Sequence, residues 1–80
     1  MAVKDVVEVL AKALADKPDD VRVVETQHKA TTLVEVYVAQ IDAGKMIGRQ
    51  GRTVAALRTL ASIAGEKEGK TVTLEIRESR

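Results

Sequence analysis

The sequence has no cysteine, phenylalanine, tryptophan or asparagine, and one residue each of proline, histidine and tyrosine. Each absence removes a class of function. Without cysteine there is no disulfide framework, thiolate zinc site or cysteine nucleophile, and the composition suits a reducing compartment. Missing asparagine and cysteine together is also a bias of heat-adapted proteins. His28, the single histidine, has no partner ligands around it for a metal and reads as a solvated turn residue. It is also the only candidate general base, and Ser62 and Ser79 lie far from it in sequence, so no nucleophilic triad assembles. Glu35 and Glu75 alternate with apolar neighbours and read as the wet face of strands. The expectation is a protein that is not an enzyme and needs no cofactor. No apolar run approaches the roughly 20 residues of a membrane helix. The opening "MAVKDVVEVL" carries Asp5 and Glu8, so it does not read as a secretory leader. These features predict a soluble, cytoplasmic protein with no membrane partner.

What is present is the composition of an ordinary globular chain: 80 residues, 45% hydrophobic and 31% charged. That length predicts one domain over residues 1–80, hiding only roughly 60% of its unfolded surface. With Tyr37 as the sole aromatic, Val, Leu, Ile and Ala must supply the core. Net charge is +1, but it is unevenly placed. Residues 43–65 hold Lys45, Arg49, Arg52 and Arg58 with only cations among their charges, leaving net −3 for the rest. Clustered positive charge in a near-neutral chain is the usual footprint of polyanion binding, although a solvated helix surface can look the same.

Val3, Val6, Val7, Leu10, Ala11 and Leu14 recur at helical spacing, with Lys4, Asp5, Glu8 and Lys12 opposite. The helix must stop near Lys17, because Pro18 disfavours helical geometry in the residue before it. "VRVVET" and "TTLVEVYVAQI" are rich in β-branched residues, and the short link "QHKA" predicts an antiparallel hairpin. In the second run Val34, Val36 and Val38 share one face, with Leu33, Glu35, Tyr37 and Ala39 on the other. Asp42 is placed to cap a short helix, Ala43 to Ile47. A second helix follows from Thr53 to Ala64, with Val54, Leu57, Leu60, Ala61 and Ala64 inward and Arg58, Thr59 and Ser62 outward. Gly65 is placed to cap its end. "TVTLEIRE" then alternates as a last strand, with Val72, Leu74 and Ile76 inward. The order is α-β-β-α-α-β. Reaching the last strand through helices favours a parallel pairing, hence a three-stranded mixed sheet with the helices packed on one face, an α+β fold.

Between the two short helices lies Ile47-Gly48-Arg49-Gln50-Gly51-Arg52. Two glycines three apart let the backbone turn sharply and let a ligand come close. The free N–H groups of the following helix point back at the loop, which makes an anion site. Neither nucleotide motif fits: no G-x-x-x-x-G-K-[ST] occurs, and Gly44, Gly48 and Gly51 have the wrong first spacing for G-x-G-x-x-G. A Gly-x-x-Gly by itself is also how plain helix–helix turns are built.

The run "GKMIGRQGRTV", set in this element order, resembles a KH domain of type II topology. The likeness covers nearly the whole chain and is most specific at the I-G-x-x-G core. It implies a binding module that clamps about four nucleotides of single-stranded RNA, the glycine loop holding the backbone. By that resemblance the RNA-binding residues are Lys45, Ile47, Gly48, Arg49, Gln50, Gly51, Arg52 and Val54. Ile47 and Val54 would form the walls of an apolar groove, and "GEKEGK" its far rim. The lack of aromatics argues against an RRM, which stacks bases on sheet rings. The resemblance further implies an RNA chaperone or post-transcriptional regulator acting with a second KH-containing RNA-binding protein. The other reading is a protein-interaction or dimerisation module on the same scaffold. Val24, Leu33 and Tyr37, together on the sheet's outer face, are one candidate surface for it, and the glycine-loop side is the other.

Overall fold

The computed structural model describes residues 2–79; the side chain of Arg49 lies outside what it describes. Helix α1 spans Val3–Leu14, followed by a 3₁₀ turn at Pro18–Asp20, and strands β1 and β2 span Arg22–His28 and Thr31–Val38. Helix α2 runs over Gln40–Ile47, a 3₁₀ turn over Arg49–Gly51, helix α3 over Arg52–Glu66 and strand β3 over Thr71–Glu78. This is the α-β-β-α-α-β order expected.

The hairpin is tighter than the sequence suggests. His28 is the last residue of β1, paired with Thr31, so only Lys29 and Ala30 turn the chain. Lys29 takes φ 58° to do so. The sheet order is β1-β2-β3, with β1 antiparallel and β3 parallel to the central strand. Strand alternation sends Val23, Val34, Val36, Val38 and Leu74 inward, where all are buried. The helices cover this face alone. Val3, Val7 and Ala11 of α1 and Leu57 and Ala61 of α3 complete the core.

Two polar or small residues act differently from their sequence reading. Asp42 is not a cap: it lies inside α2, is buried, and accepts hydrogen bonds from the N–H groups of Asp16 (2.8 Å) and Lys17 (3.0 Å). A buried carboxylate needs such donors, and the bond ties α2 to the corner where α1 gives way to Pro18. Gly65 does not end α3 either; the helix continues to Glu66, and the left-handed residue is Gly69, at φ 69°. Gly65 is required for packing, since a Cβ there would sit 2.4 Å from Val72 Cγ2.

Candidate nucleic-acid interface

The glycine pair divides its work. Gly48 ends α2 with an ordinary φ of −66°, its N–H donating to Gly44 O at 2.8 Å. What excludes a side chain there is space: a Cβ would lie 2.7 Å from Gly44 O. The reversal is made by the next residues, Gln50 at φ 63° and Gly51 at φ 69°. The Gly51 N–H donates to Gly48 O at 3.0 Å, closing the turn. Two successive left-handed residues bring the chain straight into α3, so the first N–H groups of that helix open onto the loop. The helix is 15 residues long and has no acidic residue in its first turn, so its positive end is uncompensated by side chains there.

Beside the loop is an open cleft of about 370 Å³ between α3 and β3. Ile47, Gly51, Val54 and Arg58 line one wall, and Glu75, Ile76 and Arg77 the other. Ile47 is 55% exposed, far more than an aliphatic side chain needs to be at a helix end, and so offers free apolar surface. Arg58 reaches across, its Nε donating to Leu74 O at 3.3 Å. Arg77 forms the lip, held by Glu35 (2.8 Å) and Glu75 (2.6 Å). The 65–70 connection closes the opposite end of the α3–β3 pair, but its Lys67 and Glu68 line a different depression, with Ala2 and, from α1, Val6.

Of the residues expected at the site, Ile47, Gly51 and Val54 line the cleft and Gly48 and Gln50 shape the loop mouth. Arg49 sits at the loop tip, but its side chain lies outside the described residues. Lys45 and Arg52 turn elsewhere. The Lys45 ammonium is paired with the Asp16 carboxylate, and Arg52 donates to Gln50 Oε1 at 3.4 Å beside the α1–α3 seam. Among the described residues no cluster of three or more His, Cys, Asp or Glu could hold a metal ion, and no helix is long and apolar enough to cross a membrane.

A family model described as the KH domain of KhpA and KhpB matches residues 4–76. The chain belongs to that KH-domain family. Proteins named RNA-binding protein KhpA are similar over almost their full length. That of Aquifex aeolicus is 48% identical over 96% of this chain and 98% of its own. The Clostridium perfringens protein is 45% identical (91% and 97%), and the Chlamydia trachomatis protein 40% identical (96% and 99%). No solved structure matches the chain. Family and element order together make this a type II KH fold in a non-enzymatic family.

Within this KH fold the sequence reading missed the far wall of the cleft and Arg58. Arg58 follows Val54 by four residues, so the two share a helix face, and that spacing was the available signal. Arg58 is exposed, as the outward placement expects, but its side chain reaches back to the edge of β3. Ile76 packs inward against the core, as expected, but is only half-buried because its backbone lies on the outermost strand.

Proposed function

We propose that this chain binds single-stranded RNA at the Gly48–Gly51 loop and the adjoining cleft, residues 1–80 acting as one KH domain in the cytoplasm. One observation carries the reading. The loop places the uncompensated N-terminus of α3 against an apolar and cationic cleft that has an unpaired strand edge as its far wall. A phosphate backbone fits against the loop, where the first amides of α3 and Arg49 meet negative charge. Ile47 and Val54 offer apolar contact to bases. Lys45 and Arg52 add positive potential nearby rather than cleft walls. The printed names of the similar proteins, RNA-binding protein KhpA, support the same class of ligand.

The test is the double substitution Arg49→Asp, Gln50→Asp. Position 50 is left-handed, which Asp tolerates better than most residues, so the fold should persist. Two negative charges at the loop should lower affinity for single-stranded RNA by about tenfold or more. A folded double variant that binds as well as the parent refutes the reading.

A clamp of about four nucleotides gives little affinity or selectivity alone. Joining clamps can add about 10²–10⁴ in avidity. The protein therefore works with a second clamp, as an RNA chaperone or post-transcriptional regulator beside a KhpB-like KH protein or as a homodimer. The surface that favours this is not the outer sheet face, where Val24, Leu33 and Tyr37 are half-buried among the Glu35, Glu75 and Arg77 charges. Exposed apolar side chains gather instead on α1 and α3, with Leu14 at 53%, Leu60 at 43% and Ile63 at 48%. Leu60→Glu should reduce the mass of any assembly seen by light scattering while leaving RNA binding by the monomer intact; an assembly indifferent to this change places the contact elsewhere.

A further inference from the structure

One of the cations beside the glycine loop is already engaged by an acid. Among Lys45, Arg52 and Arg58, Lys45 alone is paired with a carboxylate, that of Asp16. Arg52 donates to the neutral Gln50 amide and Arg58 to the Leu74 carbonyl. Lys45 stands in the last turn of α2, three residues before Gly48. Leu14, two residues before Asp16, shares a depression with Arg52 and Thr53, the first residues of α3. The Asp16–Lys45 pair therefore flanks the loop on its α1 side, away from the cleft formed with β3.

Asp16 is held in place from below. Its backbone N–H donates to Asp42 Oδ1 at 2.8 Å, and the N–H of Lys17 donates to Oδ2 at 3.0 Å. Asp42 is buried on α2, three residues before Lys45. The same helix thus carries the anchor that fixes the Asp16 backbone and the cation that the Asp16 side chain takes. The two side chains of the pair are more than half exposed, so a competing anion has access to the ammonium. An exposed pair is weak enough for a phosphate to displace the carboxylate, but the displacement offsets part of what the new contact gains. While the pair holds, Lys45 neutralises no phosphate and releases no counterion from RNA.

We propose that Asp16 is an internal competitor for RNA phosphate: it holds Lys45 and keeps closed a phosphate site on the α1 side of the loop. The proposal rests on the reading that the Gly48–Gly51 loop binds RNA. It sets the affinity of the free protein below what its loop cations alone would give. The closed site takes a backbone phosphate of any sequence, so opening it strengthens binding without changing which bases are preferred.

The test is a double-mutant cycle on Asp16 and Lys45, with Asp19→Asn as the control for net charge. Asp19 is exposed in the adjoining 3₁₀ turn. Affinity for a fluorescent uridine decamer is measured by anisotropy over a range of salt. Asp16→Asn should bind the decamer about three- to fivefold more tightly than the parent. Its log–log salt slope should steepen by about 0.7, the share of one further phosphate. Asp19→Asn should keep the parent's slope. Lys45→Gln should cost about three- to fivefold more in the Asp16→Asn background than in the parent, because only there is the ammonium free. Asp16→Ser serves if circular dichroism shows Asp16→Asn unfolded. A folded Asp16 variant that binds no more tightly than the parent overturns the proposal and leaves RNA binding by the loop standing. So does a gain matched in full by Asp19→Asn, or an equal cost of Lys45→Gln in the two backgrounds. A parent that does not bind the decamer overturns RNA binding itself.

Discussion

Helix α3 has a glycine pair at each end, and the two pairs use the same two physical devices. Gly48 and Gly65 are there because a Cβ would strike a neighbour, at 2.7 Å from Gly44 O and 2.4 Å from Val72 Cγ2. Gly51 and Gly69 are there because the chain takes φ 69° at both. Only the surroundings differ. The front pair faces the positive end of the helix, a cleft and an open strand edge. The rear pair faces the helix's carbonyl end, within the mixed charges Glu66, Lys67, Glu68 and Lys70, and its carbonyls are used internally: Gly65 O accepts from both Glu68 and Lys70 at 2.9 Å. Glycine spacing marks a turn. The dipole end and what lies beside it distinguish the proposed RNA site from a plain turn.

The largest effect that would sharpen this contrast is expected at the rear. Gly65→Ala puts a methyl into Val72 Cγ2 and 3.1 Å from Lys70 O, and should cost about 3 kcal/mol. For a domain of this size that lowers Tm by more than about 10 °C. RNA affinity measured well below the new Tm should stay that of the parent. A rear variant that folds yet loses RNA binding breaks the division between the two ends.

Next in size is the anchor of the front end. Asp42→Ala leaves the Asp16 and Lys17 N–H groups without their acceptor and frees α2, which carries Ile47 and Gly48. The expected loss is about 2 kcal/mol by urea denaturation, with a few-fold loss of RNA affinity. Asp42→Asn keeps one acceptor oxygen and should cost about half as much. Equal losses for the two variants would mean that the carboxylate's two bonds do not both matter.

The smallest stability effects are the most diagnostic. Gly51→Ala and Gly69→Ala meet no clash, the nearest atom being Val54 Cγ1 at 3.8 Å in the first case and nothing within 4 Å in the second. Each should cost about 1 kcal/mol for a left-handed Cβ. Matched losses of Tm with RNA affinity reduced only in Gly51→Ala would show the same backbone device serving function at one end and architecture at the other. Equal RNA affinities in the two variants would deny that.

Much of this was legible in the sequence, and the failures have a common cause. The helices and strands followed from periodicity because each buries one face: Val3, Val7 and Ala11 at helical spacing, Val34, Val36 and Val38 at strand spacing. The glycine loop was legible because close approach and left-handed φ both demand glycine. What could not be read was which distant groups meet. Asp42 looks like a cap until the chain corner at Asp16 is folded against it, and Lys45 looks free until Asp16, 29 residues away, is beside it. Gly65 and Gly69 are both reasonable helix ends; only Val72 packing against Gly65 decides between them. The cleft's far wall escaped because strand alternation predicts where Ile76 sends its side chain but not which strand lies at the sheet edge.

The most direct test of the central claim is a backbone amide titration by NMR with a short single-stranded RNA. The account predicts shifts concentrated at Gly48–Val54, at Arg58 and at Leu74–Arg77, with Gly65–Lys70 and the outer-face residues Val24 and Leu33 left unmoved. Shifts centred on Gly65–Lys70 or on the outer sheet face, with the Gly48–Gly51 amides silent, would contradict it.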